Sequence, residues 1–132
     1  MQHVYRAAGV YTVTAIATDT NGDTGSAQTS VSVSQIPSPS VSIGIPSTGV
    51  HQQTPATFTV TGTIPAGAPP NTAIRKMTIN FGDGSTSLDL GNSSPVSVQH
   101  VYHDQGEFHV TATITDTNGG MGQTTTAITV GP

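Results

Sequence analysis

Apolar and polar residues alternate along most of this chain with a period of two, and nowhere with the 3.6-residue period of a helix. Over Val10–Thr18, the residues Tyr11, Val13, Ala15 and Ala17 fall on one face and Thr12, Thr14, Ile16 and Thr18 on the other. That segment reads as a strand. Asp19–Asp23 reads as a turn, because Asn21-Gly22 supplies the positive φ angles of a tight hairpin. Ala27–Ser34 follows as a second strand with Val31 and Val33 inward. Residues 35–40, with Pro37 and Pro39 two apart, read as a stiff linker. Further strands are predicted over Val41–Ile45, Ala56–Ile64, Arg75–Phe81, Thr86–Leu90, Val96–Tyr102, Glu107–Asp116 and Thr124–Val130. Pro46–Pro55 and Pro65–Asn71 read as loops, and Asn118-Gly119-Gly120 as the last turn. Short strands at roughly 8–12-residue spacing, punctuated by Gly, Pro and Asn, predict an all-β antiparallel sandwich. Its expected core is Phe58, Val60, Ile79, Phe81, Val110, Ala112 and Ile114. Gly62 falls on an inward face, where it marks either a bulge or a close packing contact.

The chain repeats itself. A shift of 97 residues carries Gln2-His3-Val4-Tyr5 onto Gln99-His100-Val101-Tyr102, Gly9 onto Gly106 and Tyr11 onto Phe108. It also carries Val13-Thr14-Ala15 onto Val110-Thr111-Ala112, and Thr18-Asp19-Thr20-Asn21-Gly22 onto Thr115-Asp116-Thr117-Asn118-Gly119. About half of positions 2–33 are identical to their counterparts. Residues 1–34 therefore read as the C-terminal part of a first module, 35–40 as the linker, and 41–132 as a complete second module of a tandem repeat. The first part lacks counterparts of the Ala56–Ile64 and Arg75–Phe81 strands. Its apolar face is expected to be completed either by a segment upstream in a longer protein or by another chain through strand complementation.

Composition narrows the function classes. Charged residues make up 8% of the 132 residues, against a usual ~25%, and the net charge is -4. Three Lys/Arg residues provide no electrostatic footprint for nucleic acid and no polybasic membrane patch. The absence of cysteine excludes disulfides, thiolate catalysis and Cys-based zinc sites. No apolar run approaches the ~18 residues of a membrane span, and no signal-peptide pattern follows Met1.

One ordered series of motifs resembles a known family. Phe81-Gly82-Asp83-Gly84 is followed by His100-Val101-Tyr102. Then come Gly106, Phe108, Val110-Thr111, Thr113, Thr115-Asp116 and Gly119 at fixed spacing. This series resembles the polycystic kidney disease (PKD) domain, in full over 41–130 and in part over 2–33. The resemblance implies an immunoglobulin-like β-sandwich, found in tandem on extracellular and cell-surface proteins and as an accessory module of secreted hydrolases. The family usually carries Trp-Asp ahead of Phe-Gly-Asp-Gly, where this chain has Ile79-Asn80. The smaller Ile79 leaves core volume for a neighbour such as Met77. Some members bind calcium through acidic residues in the preceding loop. Here that loop is Pro69-Pro70-Asn71-Thr72 and carries no acid.

Each candidate reactive group has a plain structural explanation beside the chemical one. Asp83 between two glycines suits a carboxylate that bonds its own turn, and a catalytic role would require a partner acid or a nucleophile nearby. Asp19–Asp23 places oxygens at alternate positions like a fragment of a calcium loop, but the second copy, Asp116–Gly120, loses the third oxygen, and a hairpin turn accounts for both. His100 and His103 have a zinc-like spacing, and His109 follows. The repeat, however, preserves only His3 opposite His100, so these two are expected to be structural and to bond backbone. No Gly-x-Ser-x-Gly elbow occurs. Asn92-Ser93-Ser94 is a formal glycosylation sequon. No catalytic, cofactor or metal residue is assigned. The expectation is a non-catalytic extracellular or cell-surface structural or adhesive module of a tandem array. Its partners would be neighbouring modules or subunits reached through residues 1–34. The alternative is an accessory polysaccharide- or protein-binding module of a secreted hydrolase.

Overall fold

Ten strands and no helix form, nine of the strands where the alternating pattern lies. They are seen in a computed structural model that describes residues 1–132. The chain divides into two units, Met1–Gln35 and Ile36–Pro132.

The first unit is a hairpin. β1 (Gly9–Thr18) pairs antiparallel with β2 (Thr24–Val33), from Gly9 opposite Val33 to Thr18 opposite Thr24. The turn is set by Asp19, whose Oδ1 accepts the N–H groups of Asn21 (2.8 Å) and Asp23 (3.0 Å). Gly22 supplies the positive φ of 89°. Both faces of this two-stranded sheet meet solvent within the unit. Val10 and Ile16 on one face, and Val13 on the other, are all exposed.

The second unit contains β3 (Ser40–Gly44), β4 (Val50–His51), β5 (Pro55–Thr63), β6 (Ile74–Asn80), β7 (Leu88–Gly91), β8 (Val96–Val101), β9 (Gly106–Asp116) and β10 (Met121–Gly131). One sheet has the order β4-β10-β9-β6-β7 and the other β3-β5-β8. The inward residues of both sheets meet in one core: Phe58 and Val60 from β5, Met77 and Ile79 from β6, Val110, Ala112 and Ile114 from β9, and Ile128 and Val130 from β10. Phe81 and Tyr102 close one end of it. All seven residues of the expected core are buried. Met77 is fully buried beside Ile79, and its sulfur comes up against Gly62. A Cβ at Gly62 would lie 2.6 Å from Ile114 Cδ1 and 2.8 Å from Met77 Sδ, so this glycine marks close packing rather than a bulge.

Two segments depart from the sequence reading. The Pro46–Pro55 loop contains β4, which pairs parallel with the end of β10 through Val50 opposite Val130 and His51 opposite Gly131. The same loop sends the Gln52 N–H to the Gly131 carbonyl (2.9 Å) and the Gln53 N–H to the Tyr102 carbonyl (2.8 Å), so it ties both sheets together. The chain thus leaves β3 in one sheet, crosses to β4 in the other, and returns as β5. The second departure is Pro39, which lies within the stretch read as linker. It is buried, and its carbonyl lies directly against Gly122 of β10. The second unit is therefore entered beside the start of β10 and left at its far end, roughly 35 Å away along an eleven-residue strand.

Candidate functional site

At Asn80 the β6 strand stops because the next residues adopt backbone conformations that only glycine holds without strain. Gly82 and Gly84 have φ of 78° and 85°. Gly82 also packs against the backbone of His109 with no room for a side chain. Asn80 fixes the bend: its Oδ1 accepts the Gly82 N–H (2.8 Å) and its Nδ2 donates to Ser87 Oγ (3.0 Å). Asp83 is thereby aimed inward, with its side chain 15% exposed. Its Oδ1 accepts the Ser85 N–H (3.1 Å) and the Ser85 hydroxyl, as expected of a carboxylate bonding its own turn.

The other oxygen, Oδ2, lies 2.7 Å from His100 Nε2 on β8. His100 thus bonds a carboxylate, and the expectation that it bonds backbone is corrected. The imidazole also stacks on Phe81 at 3.9 Å and 5°. Tyr102 stands edge-on to His100 and donates its hydroxyl to the Phe81 carbonyl at 3.0 Å. Burial would raise the Asp83 carboxyl, but hydrogen bonds from Ser85 and His100 outweigh it and hold the group at about 2. Burial, together with the Asp83 charge, pushes Tyr102 well above the usual phenol range.

Serine, aspartate and histidine thus meet, but in the wrong order for a nucleophile. The Ser85 hydroxyl donates to the carboxylate and the imidazole nitrogen lies on the other carboxylate oxygen, so no base faces the hydroxyl. What the arrangement does is fasten the β6–β7 turn of one sheet to β8 of the other.

The remaining histidines are dispersed. His103 is exposed, and its carbonyl accepts from Gln53 Nε2 (3.0 Å). His109 is exposed 3.6 Å from Glu107. His51 Nδ1 lies 3.2 Å from the Pro132 carbonyl. No three His, Asp or Glu side chains converge. The Asp116 turn matches that of Asp19: Oδ1 accepts the N–H groups of Asn118 (2.9 Å) and Gly120 (2.8 Å). Asp116 is completely buried and its Oδ2 has no partner. Asn92 lies in an exposed turn, while the Ser94 hydroxyl is bonded to the Gly62 backbone in both directions. Phe58, Phe81 and Tyr102 are buried and Phe108 half-buried, so none forms a flat exposed platform. An open concavity around Pro46, Val50, His51 and Pro55 contains no Phe, Tyr or Trp ring.

The exposed face of β1–β2 is the remaining candidate, and its geometry repeats that of β9–β10. Every pair from Gly9–Val33 to Thr18–Thr24 reappears, shifted by 97, from Gly106–Val130 to Thr115–Met121. The rings repeat as well. His3 and Tyr5 are 4.7 Å apart at 77°, against 4.7 Å and 82° for His100 and Tyr102. Tyr5 and Tyr11 are 4.6 Å apart at 32°, against 4.7 Å and 33° for Tyr102 and Phe108. Sequence reasoning passed over Gly25. Its counterpart Gly122 must be glycine to admit the Pro39 carbonyl, whereas nothing lies within 4 Å of a Cβ at Gly25. The signal was its identity across the repeat.

Comparison with known proteins agrees with this architecture. The PKD domain family model matches residues 37–130. The chain is similar in structure to the PKD domain of an M14-like peptidase from a Thermoplasmatales archaeon (TM-score 0.60, 19% identity, 74% of this chain and 100% of that one). It is also similar to fibronectin(III)-like modules of Clostridium thermocellum CbhA (TM-score 0.52, 19% identity, 94% of this chain and 62% of that one). The PKD domain of the human VPS10 domain-containing receptor SorCS2 is a third (TM-score 0.50, 17% identity, 77% and 81%). No curated protein matches the chain. With its two-sheet core, its Phe81–Gly84 turn fastened to His100 and Tyr102, and the family match over 37–130, the chain belongs to the PKD domain family.

Proposed function

We propose that the chain is a non-catalytic structural or adhesive part of a tandem PKD-like array in an extracellular, cell-surface, fibre or particle-surface protein. Residues 1–34 would be the C-terminal part of one module and 41–132 the next. The observation that carries this reading is the pair-for-pair identity of register between β1–β2 and β9–β10. The path of the second unit supports it, because a module entered at one end and left at the other suits end-to-end linkage. The Ser85–Asp83–His100 arrangement, which leaves the hydroxyl unactivated, also favours a scaffold over an enzyme.

A second reading, an accessory binding module of a secreted hydrolase, has one observation in its favour: a similar structure is the PKD domain of an M14-like peptidase. The burial of the second unit's aromatic rings counts against a polysaccharide platform. Cosedimentation with insoluble cellulose and chitin separates the two. The chain is expected to stay in the supernatant. Saturable retention on either of these would overturn the array reading in favour of the second.

A further inference from the structure

We propose that the first unit is an acceptor for the front part of a PKD-like module, which would bring an opposing apolar strand with the chemistry of Phe58–Val60 over its face and a strand-and-turn segment with that of Ile79–Gly84 along its edge. This rests on the array reading above and specifies the partner for its first unit. The second unit shows what covers such a hairpin. Tyr11, Val13, Ala15, Val31 and Val33 correspond to Phe108, Val110, Ala112, Ile128 and Val130, which pack in its core. In the first unit, Val13 is 41% exposed.

The polar ends are as specific as the apolar face. In the second unit, the Tyr102 hydroxyl takes the Phe81 carbonyl, and His100 takes both the Phe81 ring and the Asp83 carboxylate. Tyr5 and His3 hold the same mutual geometry, and their own unit contains neither an aromatic ring nor a carboxylate in those positions. The complement must therefore bring an aromatic residue and, two positions later, an acid. Gly25 adds a third requirement. Its counterpart makes room for a crossing backbone carbonyl, and in the hairpin alone nothing needs that room. An apolar strand, an aromatic-x-acid turn and a crossing carbonyl together define the front of a PKD-like module. They do not define a second copy of the hairpin.

The test supplies that front part from the chain's own second module. Residues 36–98 are placed ahead of Gln2 in the full chain, because Gln2 corresponds to Gln99 and the junction restores an uninterrupted repeat. Amide exchange in β1 and β2 is expected to slow to the rates of β9 and β10. Gly25→Ala, silent in the parent, is expected to lower the melting temperature of the extended chain, and Asp83→Ala in the added segment to reverse the protection. Exchange of β1 and β2 at the parent's rate overturns the proposal, whether or not the added residues fold. Protection of the hairpin in the parent alone, appearing with a concentration-dependent dimer in sedimentation, overturns it in favour of a second copy. Cosedimentation decides the array reading separately, so the two failures are distinguishable.

Discussion

Gly122→Ala probes the closest backbone approach in the second unit. Gly122 does not have a positive φ, so alanine is compatible with its backbone. The obstacle is space. The new methyl would run into the Pro39 carbonyl and lie 3.1 Å from Ile114 Cγ2. A carbonyl at the head of β3 cannot rotate away as a side chain can, so β3 must shift off β10. Overpacking of this kind costs ~1–3 kcal/mol, and the loss of glycine freedom in the unfolded chain offsets ~0.4–1 kcal/mol of it. The net destabilisation is about 1–2 kcal/mol. At ~4–8 °C per kcal/mol for a domain of this size, the melting temperature should fall by roughly 4–16 °C. Differential scanning calorimetry of parent and variant reads this directly. A melting temperature within about 1 °C of the parent would refute the reasoning, because Pro39 would then not be held against β10.

Three further outcomes are expected. Tyr102→Phe leaves the buried Phe81 carbonyl unpaired and should cost about 1–3 kcal/mol in urea unfolding; an unchanged midpoint would mean that this hydrogen bond contributes nothing. Asp116→Ala strips the acceptor from two backbone N–H groups around a buried side chain and should lower the second unit's melting temperature, whereas Asp19→Ala in the hairpin should leave that temperature unchanged. Asp83 is held at about 2 when folded and returns to ~3.9 when unfolded. Its contribution is therefore complete above pH ~4 and lost as pH falls through ~2, and after allowance for solvent screening it amounts to about 1–2 kcal/mol. The gap in urea midpoint between the parent and Asp83→Asn should close between pH 4 and pH 2, and a gap that stays constant would contradict this.

Alternation alone places nine of the ten strands, because strands half buried in a sandwich must show their inner face every second residue. β4 was not legible: two residues have no period, and the partner strand lies about eighty residues away. Pro39 reads as linker in the sequence because prolines so spaced stiffen a chain, and nothing local shows that a carbonyl will be pressed against a distant glycine. The Asp83–His100 pair was only partly visible. Each residue stood out in its own motif, but seventeen positions of chain separate them, and the sequence gives no distance. The repeat spoke more clearly, since residues recurring at a constant shift predict the same pairing, and the two registers match.

The parallel pairing of β4 with the end of β10 has a mechanical consequence. Tension applied through Ile36 and Pro132 pulls the beginning of the second unit one way and its last strand the other. β4 and β10 run side by side in the same direction. Their contacts at Val50, His51 and Gln52 therefore lie across the line of force and are sheared together, rather than unzipped one after another. A short patch loaded in this way resists until it gives as a whole. This PKD unit is thus expected to lengthen under load in a single abrupt step, with the loop that looked unstructured in the sequence acting as its catch.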